Sequence, residues 1–146
     1  MFKHILIPTD GSTIALKAAK AGIRFAAETG ARVTAFHAID QWQPAYISPD
    51  MATSRTFVDF ERLARERGEA EVAAVGKLAK AAGVPFASLV SKARAPYEGI
   101  AETARKRKCD LIWMASHGRR GVARLMMGSV TLKVLAHATV PVFVYR

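Results

Sequence analysis

Five short apolar runs, each separated from the next by a segment with helical periodicity, constrain the fold of this sequence most strongly. The runs predict strands over residues 3–7, 33–39, 84–90, 111–115 and 140–145. Between them, apolar residues recur three or four positions apart, which predicts helices over 13–28 and 57–82, from Pro96 onward and over 130–137. Because each strand follows a helical crossover, parallel pairing is expected. We therefore predict a doubly wound α/β fold: a five-stranded parallel sheet with helices on both faces.

Size and composition are typical of one globular domain, which we expect to span residues 1–146. Hydrophobic residues make up 51% of the chain, yet no apolar run approaches the roughly 20 residues that a membrane helix needs. The first residues lack the apolar segment and small-residue cleavage site of a secretory signal. The one cysteine, Cys109, cannot form an internal disulfide, which suits a reducing compartment. We expect a cytoplasmic protein with no membrane partner.

The formal net charge of +10 favours anionic partners. Residues 105–108 are four consecutive cations at a predicted helix end, where cations complement the helix dipole, so a solvated helix end is the favoured interpretation. Arg119, Arg120 and Arg124 fit phosphate contact and a solvated loop face equally well. No aromatic residues alternate with the basic ones, as they do in proteins that stack single-stranded bases, and nucleic acid is therefore not favoured as a partner.

Small residues follow the fourth predicted strand and open the last predicted helix. Ala115-Ser116-His117-Gly118 comes directly after the strand, and nine residues later Gly128-Ser129 precedes the helix. Such residues let backbone N–H groups approach an anion at the positive end of a helix. In a doubly wound sheet, ligands bind outside the carboxyl ends of the strands. The pattern predicts a phosphate cradle at this edge of the sheet.

No standard catalytic or phosphate-binding motif accompanies this cradle. The sequence contains neither a Gly-x4-Gly-Lys-Ser/Thr loop nor the Gly-x-Ser-x-Gly or Gly-x-Gly-x-x-Gly pattern. No second His, Cys or carboxylate stands at metal-ligand spacing from His117, so backbone positioning is favoured there over catalysis. Asp10 follows the first strand and is favoured as a pocket residue, with helix capping as the alternative. We predict no catalytic and no metal-ligating residue.

A long loop is predicted over residues 40–56, which contain Pro44 and Pro49 and few periodic apolar residues. Its aromatic residues, Trp42 and Tyr46, are expected to pack against the neighbouring helix. The alternative is that they cover a ligand.

Four segments of the chain carry a family resemblance. They are Ile5-Leu6-Ile7-Pro8-Thr9-Asp10-Gly11-Ser12, Ser116-His117-Gly118-Arg119-Arg120-Gly121, Leu125-Met126-Met127-Gly128-Ser129-Val130 and Val140-Pro141-Val142-Phe143-Val144. Through them the whole chain resembles the nucleotide-binding branch of the universal stress protein family. The family's ATP motif is a glycine, two residues, a second glycine, nine residues, then Gly-Ser or Gly-Thr. Gly118 and Gly128-Ser129 keep that spacing here, whereas Ala115 replaces the first glycine.

The resemblance implies an ATP site, with Mg²⁺ or Mn²⁺ bound through the phosphates. Asp10 would lie beside the ribose or a metal-bound phosphate, and the backbone of Ala38 would hold the adenine. Gly128 and Ser129 would cradle the phosphates. The remaining implied residues line the pocket wall, the ribose side or the start of the last helix: Pro8, Thr9, Met114, Ala115, His117, Gly118, Val130 and Thr131.

The resemblance further implies a stress-response regulator or sensor that binds ATP and forms a homodimer. Pairing would run along the last strand, residues 140–144, because this strand would present an apolar edge, and an unpaired apolar edge favours aggregation. Two alternatives stay open. One is an enzyme that hydrolyses ATP slowly in the same pocket. The other is a nucleotide-free, dimeric interaction module that docks through its basic surface, which is favoured if the Ala115 methyl closes the pocket.

Overall fold

Within the described residues, five parallel strands form one sheet. The computed structural model describes residues 1–41, 50, 55–118 and 126–146. The strands are β1 (His4–Pro8), β2 (Arg32–Asp40), β3 (Phe86–Ala93), β4 (Leu111–Ala115) and β5 (Val142–Tyr145). The helices are α1 (Thr13–Thr29), α2 (Arg55–Ala81), α3 (Pro96–Lys106) and α4 (Ser129–His137). Trp42, Tyr46, Arg119, Arg120 and Arg124 lie outside the described residues, so the predictions made for them stay predictions.

The order of the strands, β3-β2-β1-β4-β5, reverses beside β1. Strand β1 pairs with β2 on one side, from His4↔Arg32 to Pro8↔Phe36, and with β4 on the other, through Ile5↔Leu111. The chain thus leaves β1 toward one edge of the sheet and later returns to its other side. Such a reversal opens a crevice between the loops at the carboxyl ends of the two strands.

Each face of the sheet is covered by two helices, which confirms the predicted doubly wound α/β fold. On one face, α1 and α2 pack Ile23 and Val75 against Ile5, Ile7 and other buried side chains. On the opposite face, α3 and α4 contribute Ile100 and Val134, which pack around Leu6, Phe36 and Ile112. The strands are apolar on both sides because both sides are buried.

Element bounds differ from the predicted ones mainly beside prolines. Strand β3 begins at Phe86 rather than at 84, because the Val84 N–H donates to the Ala79 carbonyl at 2.9 Å and completes the end of α2. Strand β5 begins at Val142 rather than at 140, since Pro141 has no N–H to offer a ladder. Met126, expected in the core, is 70% exposed. No described helix is long and apolar enough to span a membrane.

Candidate functional site

A cavity of about 170 Å³ opens where β1, β2 and β4 end. The ends of these strands supply its walls, and α3 and α4 close one side. It brings together all the residues predicted for the site except Gly128 and Ser129, which lie at the start of α4 beside it. The predicted residues that line it are Pro8, Thr9, Asp10, Ala38, Met114, Ala115, His117, Gly118, Val130 and Thr131.

Asp10 and Gly118 meet across this cavity. A Cβ atom added at Gly118 would lie 2.3 Å from Asp10 Oδ2, which is closer than non-bonded atoms approach. The other carboxylate oxygen, Oδ1, accepts a 2.9 Å hydrogen bond from the Ser12 N–H. Ser12 itself caps α1, because its Oγ accepts from the Ala15 N–H. Asp10 therefore holds the turn before α1 while lining the pocket, so the two roles weighed for it are compatible.

The start of α4 is joined to the end of β4 by close backbone contacts. The Gly128 N–H donates to the Ser116 carbonyl at 2.7 Å, and a Cβ at Gly128 would lie 3.1 Å from His117 Cα. The Thr131 hydroxyl donates to the Ala115 carbonyl at 3.0 Å. These contacts aim the first N–H groups of α4, which have no acceptor within the helix, toward the edge of the cavity.

Gly128 is the N-cap of α4. A serine beside a helix start can serve as its cap, but Ser129 is already the first residue of this helix, and no side chain bonds to the cap position. Gly128 suits it because its backbone approaches His117 so closely. Thr131 is 2% exposed and its hydroxyl is bonded to the Ala115 carbonyl, which leaves its backbone N–H as the group through which it could contact a phosphate.

His117 is half-buried, and its Nδ1 lies 3.0 Å from Ser116 Oγ. Within the described residues, no three His, Cys, Asp or Glu side chains are grouped so that they could hold a metal ion. A divalent cation at this site would therefore need oxygen ligands from the nucleotide's phosphates.

A close contact between His37 and a buried carboxylate under the first loop was not foreseen. His37 Nδ1 donates to the Thr9 carbonyl oxygen at 3.0 Å and lies 2.7 Å from Glu71 Oε2. Glu71 is 9% exposed, and a Cβ at Gly11 would lie 2.6 Å from its Cγ. Gly11 also has a φ of +74°. Glu71 and His37 thus hold residues 9–11 against α2, and with them Asp10.

The apolar floor of the cavity was also missed, although its residues are recognisable in the sequence as apolar positions of a strand and a helix. Phe36 and Ile100 line the cavity between the polar residues. Both belong to strand and helix patterns that predict core residues, and periodicity alone does not separate a core position from a pocket wall.

Glu71 carried a clearer signal, since it lies on the apolar stripe of α2 that contains Val72 and Val75.

Two further residues, Cys109 and Arg94, lie apart from the cavity. Cys109 is 4% exposed in the core, and burial raises the pKa of its thiol to about 11, which keeps it protonated and unreactive. Arg94 pairs with Glu98 at 2.8 Å, and its side chain is 84% exposed. That pair accounts for the direction of Arg94, which points to solvent.

Fold and site together define an α/β protein of the doubly wound class, with a crevice suited to an anionic ligand at the strand ends. The model of the universal stress protein family matches residues 1–146, and the chain belongs to that family. It is 34% identical to a universal stress protein of Methanocaldococcus jannaschii, covering 100% of this chain and 83% of the relative. A relative from Thermus aquaticus is 33% identical over the full length of both chains.

Solved structures share the fold. The structure of the hypothetical protein MJ0577 has a TM-score of 0.82 and 26% identity, covering 99% of this chain and 95% of that one. Two more distant structures hold nucleotides: a universal stress protein in complex with cAMP, at 21% identity with a TM-score of 0.72, and an Arabidopsis thaliana family member with AMP bound, at 17% and 0.68. They cover 99% and 97% of this chain, and 97% and 90% of their own.

Proposed function

We propose that this protein is a cytoplasmic stress-response regulator, a single domain over residues 1–146, that binds ATP at the carboxyl ends of its strands. One observation carries the proposal: two glycines hold both sides of the crevice at backbone distance. Gly118 lies against Asp10, and Gly128 lies against the residues that follow β4. Glycine at both places lets the backbone approach this closely, which brings the N–H groups at the start of α4 to the edge of the crevice, where a phosphate would bind.

The shape of the cavity assigns a part of the nucleotide to each wall. Its 170 Å³ is smaller than the roughly 300–1,000 Å³ of pockets that enclose a whole drug-sized ligand, so it suits the base and part of the ribose. Met114 and Ile100 provide apolar walls for the base, and the Ala38 backbone provides polar atoms at its edge. The phosphates would extend to Gly128 and Ser129, with Mg²⁺ or Mn²⁺ on them and Asp10 nearby.

The distant relatives with AMP and cAMP support an adenine nucleotide as the ligand class, since they share the fold. The spacing of Gly118 and Gly128-Ser129 supports a triphosphate in particular. It places two small residues, Gly128 and Ser129, at the start of α4, where further phosphate groups could bind. The proposed role is regulatory, because the family to which the chain belongs consists of stress-response proteins.

Calorimetric titration with Mg-ATP tests the proposal. We expect the wild-type protein to bind, and Gly118→Val to lose binding because the added side chain meets Asp10 at the centre of the crevice. Ser88→Val is the matched control, since Ser88 is exposed near the start of β3, where a strand accommodates valine, and lies away from the carboxyl ends of the strands. Circular dichroism verifies that each variant is folded. Absence of heat and of any thermal shift with the wild-type protein at millimolar Mg-ATP would overturn the proposal.

A homodimer that pairs along β5 is the second part of the proposal. Strand β5 is at the edge of the sheet, and Phe143 is 44% exposed there while it stacks on Trp113 at 3.8 Å. An apolar edge strand of this kind favours pairing with another chain. Light scattering after gel filtration should give about twice the 15.8 kDa chain mass, and Val144→Lys should shift the protein toward the single chain. A wild-type protein that elutes only as the 15.8 kDa species contradicts the dimer.

A further inference from the structure

A basic groove of about 420 Å³ lies at the opposite edge of the sheet, where β1, β2 and β3 begin. We call it the amino-end groove. Four cationic residues line it: Arg32 at the start of β2, and Lys106, Arg107 and Lys108 at the end of α3. Its other lining residues are His4, Val33, Thr34, Pro85, Phe86 and Ala87.

The helix dipole accounts for only part of this charge. Cations at the end of α3 complement the negative end of the helix, and Lys106 also pairs with Glu102 at 2.8 Å. Neither the helix dipole nor the pair with Glu102 explains Arg32, because Arg32 begins β2 and lies far from α3 in the sequence. The nearby carboxylate, Asp110, accepts hydrogen bonds from the N–H groups of Lys3 and His4, at 2.8 and 3.0 Å.

Lys108 occupies a backbone position that the ends of α1 and α2 give to glycine. Helices α1 and α2 are followed by Gly30 and Gly83, with φ values of +69° and +67°. Lys108 holds the same place after α3 with φ +53°, and the Cys109 N–H donates to the Ala104 carbonyl at 2.8 Å, as Val84 does to Ala79 at 2.9 Å. Glycine is the residue that adopts this conformation without strain. A lysine there sacrifices backbone stability and places a cation beside the groove.

The charges of Arg32 and Arg107 act on the floor of the groove. The floor includes His4, which is 6% exposed and whose Nε2 lies 2.7 Å from Thr34 Oγ. Burial lowers the pKa of His4, the positive charges of Arg32 and Arg107 lower it further, and the Arg107 carbonyl and Asp110 raise it. The floor is therefore neutral at pH 7, and the cations stand around it.

We propose that the amino-end groove binds a compact anion with a chain of two or more phosphate groups. Two guanidinium groups offer paired N–H donors that match phosphate oxygens, and two lysines add point charges. Four cations exceed what one carboxylate would need, whereas a triphosphate carries a comparable opposite charge. The groove volume lies in the range of small-molecule sites, roughly 300–1,000 Å³. This site is separate from the nucleotide crevice and does not depend on it.

Titration with sodium tripolyphosphate, at constant ionic strength and without nucleotide or divalent cation, tests the proposal. Arg32→Gln and Lys108→Gly should each weaken binding about tenfold, since each removes a charged partner. Lys20→Gln, which removes an exposed cation of α1, should leave the affinity unchanged. The titration is repeated in Gly118→Val, in which the α4 cradle is blocked, so that tripolyphosphate binding that persists there belongs to this groove. Wild-type affinity in both Arg32→Gln and Lys108→Gly overturns the proposal, as does an equal loss in Lys20→Gln.

Thermal unfolding of Lys108→Gly is a second test. It should show a higher melting temperature without ligand and a smaller increase when tripolyphosphate is added. Without ligand, its melting temperature should exceed that of the wild-type protein, because glycine adopts the left-handed conformation freely. The rise in melting temperature caused by tripolyphosphate should become smaller. A variant that fails to fold cannot give this pair of results. A normal tripolyphosphate effect in a stabilised Lys108→Gly protein would contradict the assignment of Lys108.

The source of the phosphate chain is distinguished in the Gly118→Val background. A nucleoside triphosphate that displaces tripolyphosphate there with similar affinity identifies a phosphorylated metabolite as the ligand class. Binding of tripolyphosphate alone identifies a free inorganic chain. Failure of either compound to bind Gly118→Val, while tripolyphosphate binds the wild-type protein, would assign the binding to the α4 cradle and overturn the proposal.

Discussion

Glycines at the two edges of the sheet are present for different physical reasons. At the carboxyl edge, a Cβ would lie 2.6 Å from Glu71 at Gly11, 2.3 Å from Asp10 at Gly118 and 3.1 Å from His117 at Gly128. At the amino edge, the positions of Gly30 and Gly83 have nothing within 4 Å. Those two glycines serve backbone conformation alone. At the carboxyl edge, which holds the crevice, glycine is required because a Cβ would meet neighbouring atoms. At the amino edge, which holds the groove, glycine is required only because φ is positive.

The largest loss of unfolding free energy is expected for Gly11→Ala, and its comparison with Gly30→Ala tests the difference between the two edges. Both positions have left-handed φ, +74° and +69°, so both substitutions incur about 1–2 kcal/mol of backbone strain. Gly11→Ala adds the contact with Glu71, and overpacking typically costs a further 1–3 kcal/mol or so. Urea denaturation should therefore show a clearly greater loss of unfolding free energy at Gly11. Equal losses at both positions would show that φ alone determines the response at both edges.

Glu71→Gln is expected to have the next largest effect. It keeps the size of the side chain but removes the charge that pairs with His37, at a site where Glu71 is 9% exposed. We expect a loss of about 1–3 kcal/mol in unfolding free energy and weaker Mg-ATP binding, because residues 9–11 lose their support. Glu66→Gln is the control: it loses an exposed pair with Arg62, worth about 0–1 kcal/mol. Unchanged nucleotide affinity in folded Glu71→Gln would limit Glu71 to a stabilising role.

Much of the fold could be predicted because its strands are apolar on both faces and its helices carry one apolar stripe. That pattern indicates a parallel sheet with helices on both sides without any knowledge of contacts. The bounds erred beside Pro85 and Pro141, because the Val84 N–H completes the end of α2 and Pro141 has no N–H to offer the ladder. The strand order was not predicted, since periodicity does not specify which strand pairs with which.

The residues around the cavity could be selected from the sequence where backbone geometry determines them, and were missed where contacts between distant elements determine them. Gly118 and Gly128 could be selected from their spacing, because small residues at strand and helix ends have a local signature. Glu71 and His37 are 34 residues apart and meet only after α2 crosses the end of β2. A buried carboxylate on an apolar stripe was the one local signal of that pair.

A smaller, pH-dependent effect is expected at the amino edge, from His4. Its folded pKa lies below the ordinary value of 6.5, chiefly because it is buried. The unfolded chain therefore binds more protons than the folded one between the two pKa values, and stability falls as pH is lowered from 7 through this window. Denaturation at pH 7 and 5 should show a smaller decrease in His4→Gln than in the wild-type protein. An identical decrease would show that His4 does not control this dependence.

The smallest effect concerns the one methyl group by which this crevice departs from the family motif. Ala115 ends β4, is 8% exposed and lines the cavity, while its carbonyl accepts from Thr131. Ala115→Gly enlarges the space beside the nucleotide and keeps that hydrogen bond. We therefore expect Mg-ATP affinity to be unchanged or raised, with roughly 0.5–1 kcal/mol lost in stability, the usual cost of glycine in a strand.

Ala87→Gly, at an exposed position of β3, is the control for Ala115→Gly, because it should lose similar stability with no change in Mg-ATP affinity. Calorimetry on both variants separates the two effects. Weaker binding in Ala115→Gly alone would mean that the methyl group contacts the nucleotide, so that this chain uses alanine as part of its pocket wall. Stronger binding would mean that the methyl narrows the crevice, and that the carboxyl edge is limited by space at Ala115 as it is at Gly118.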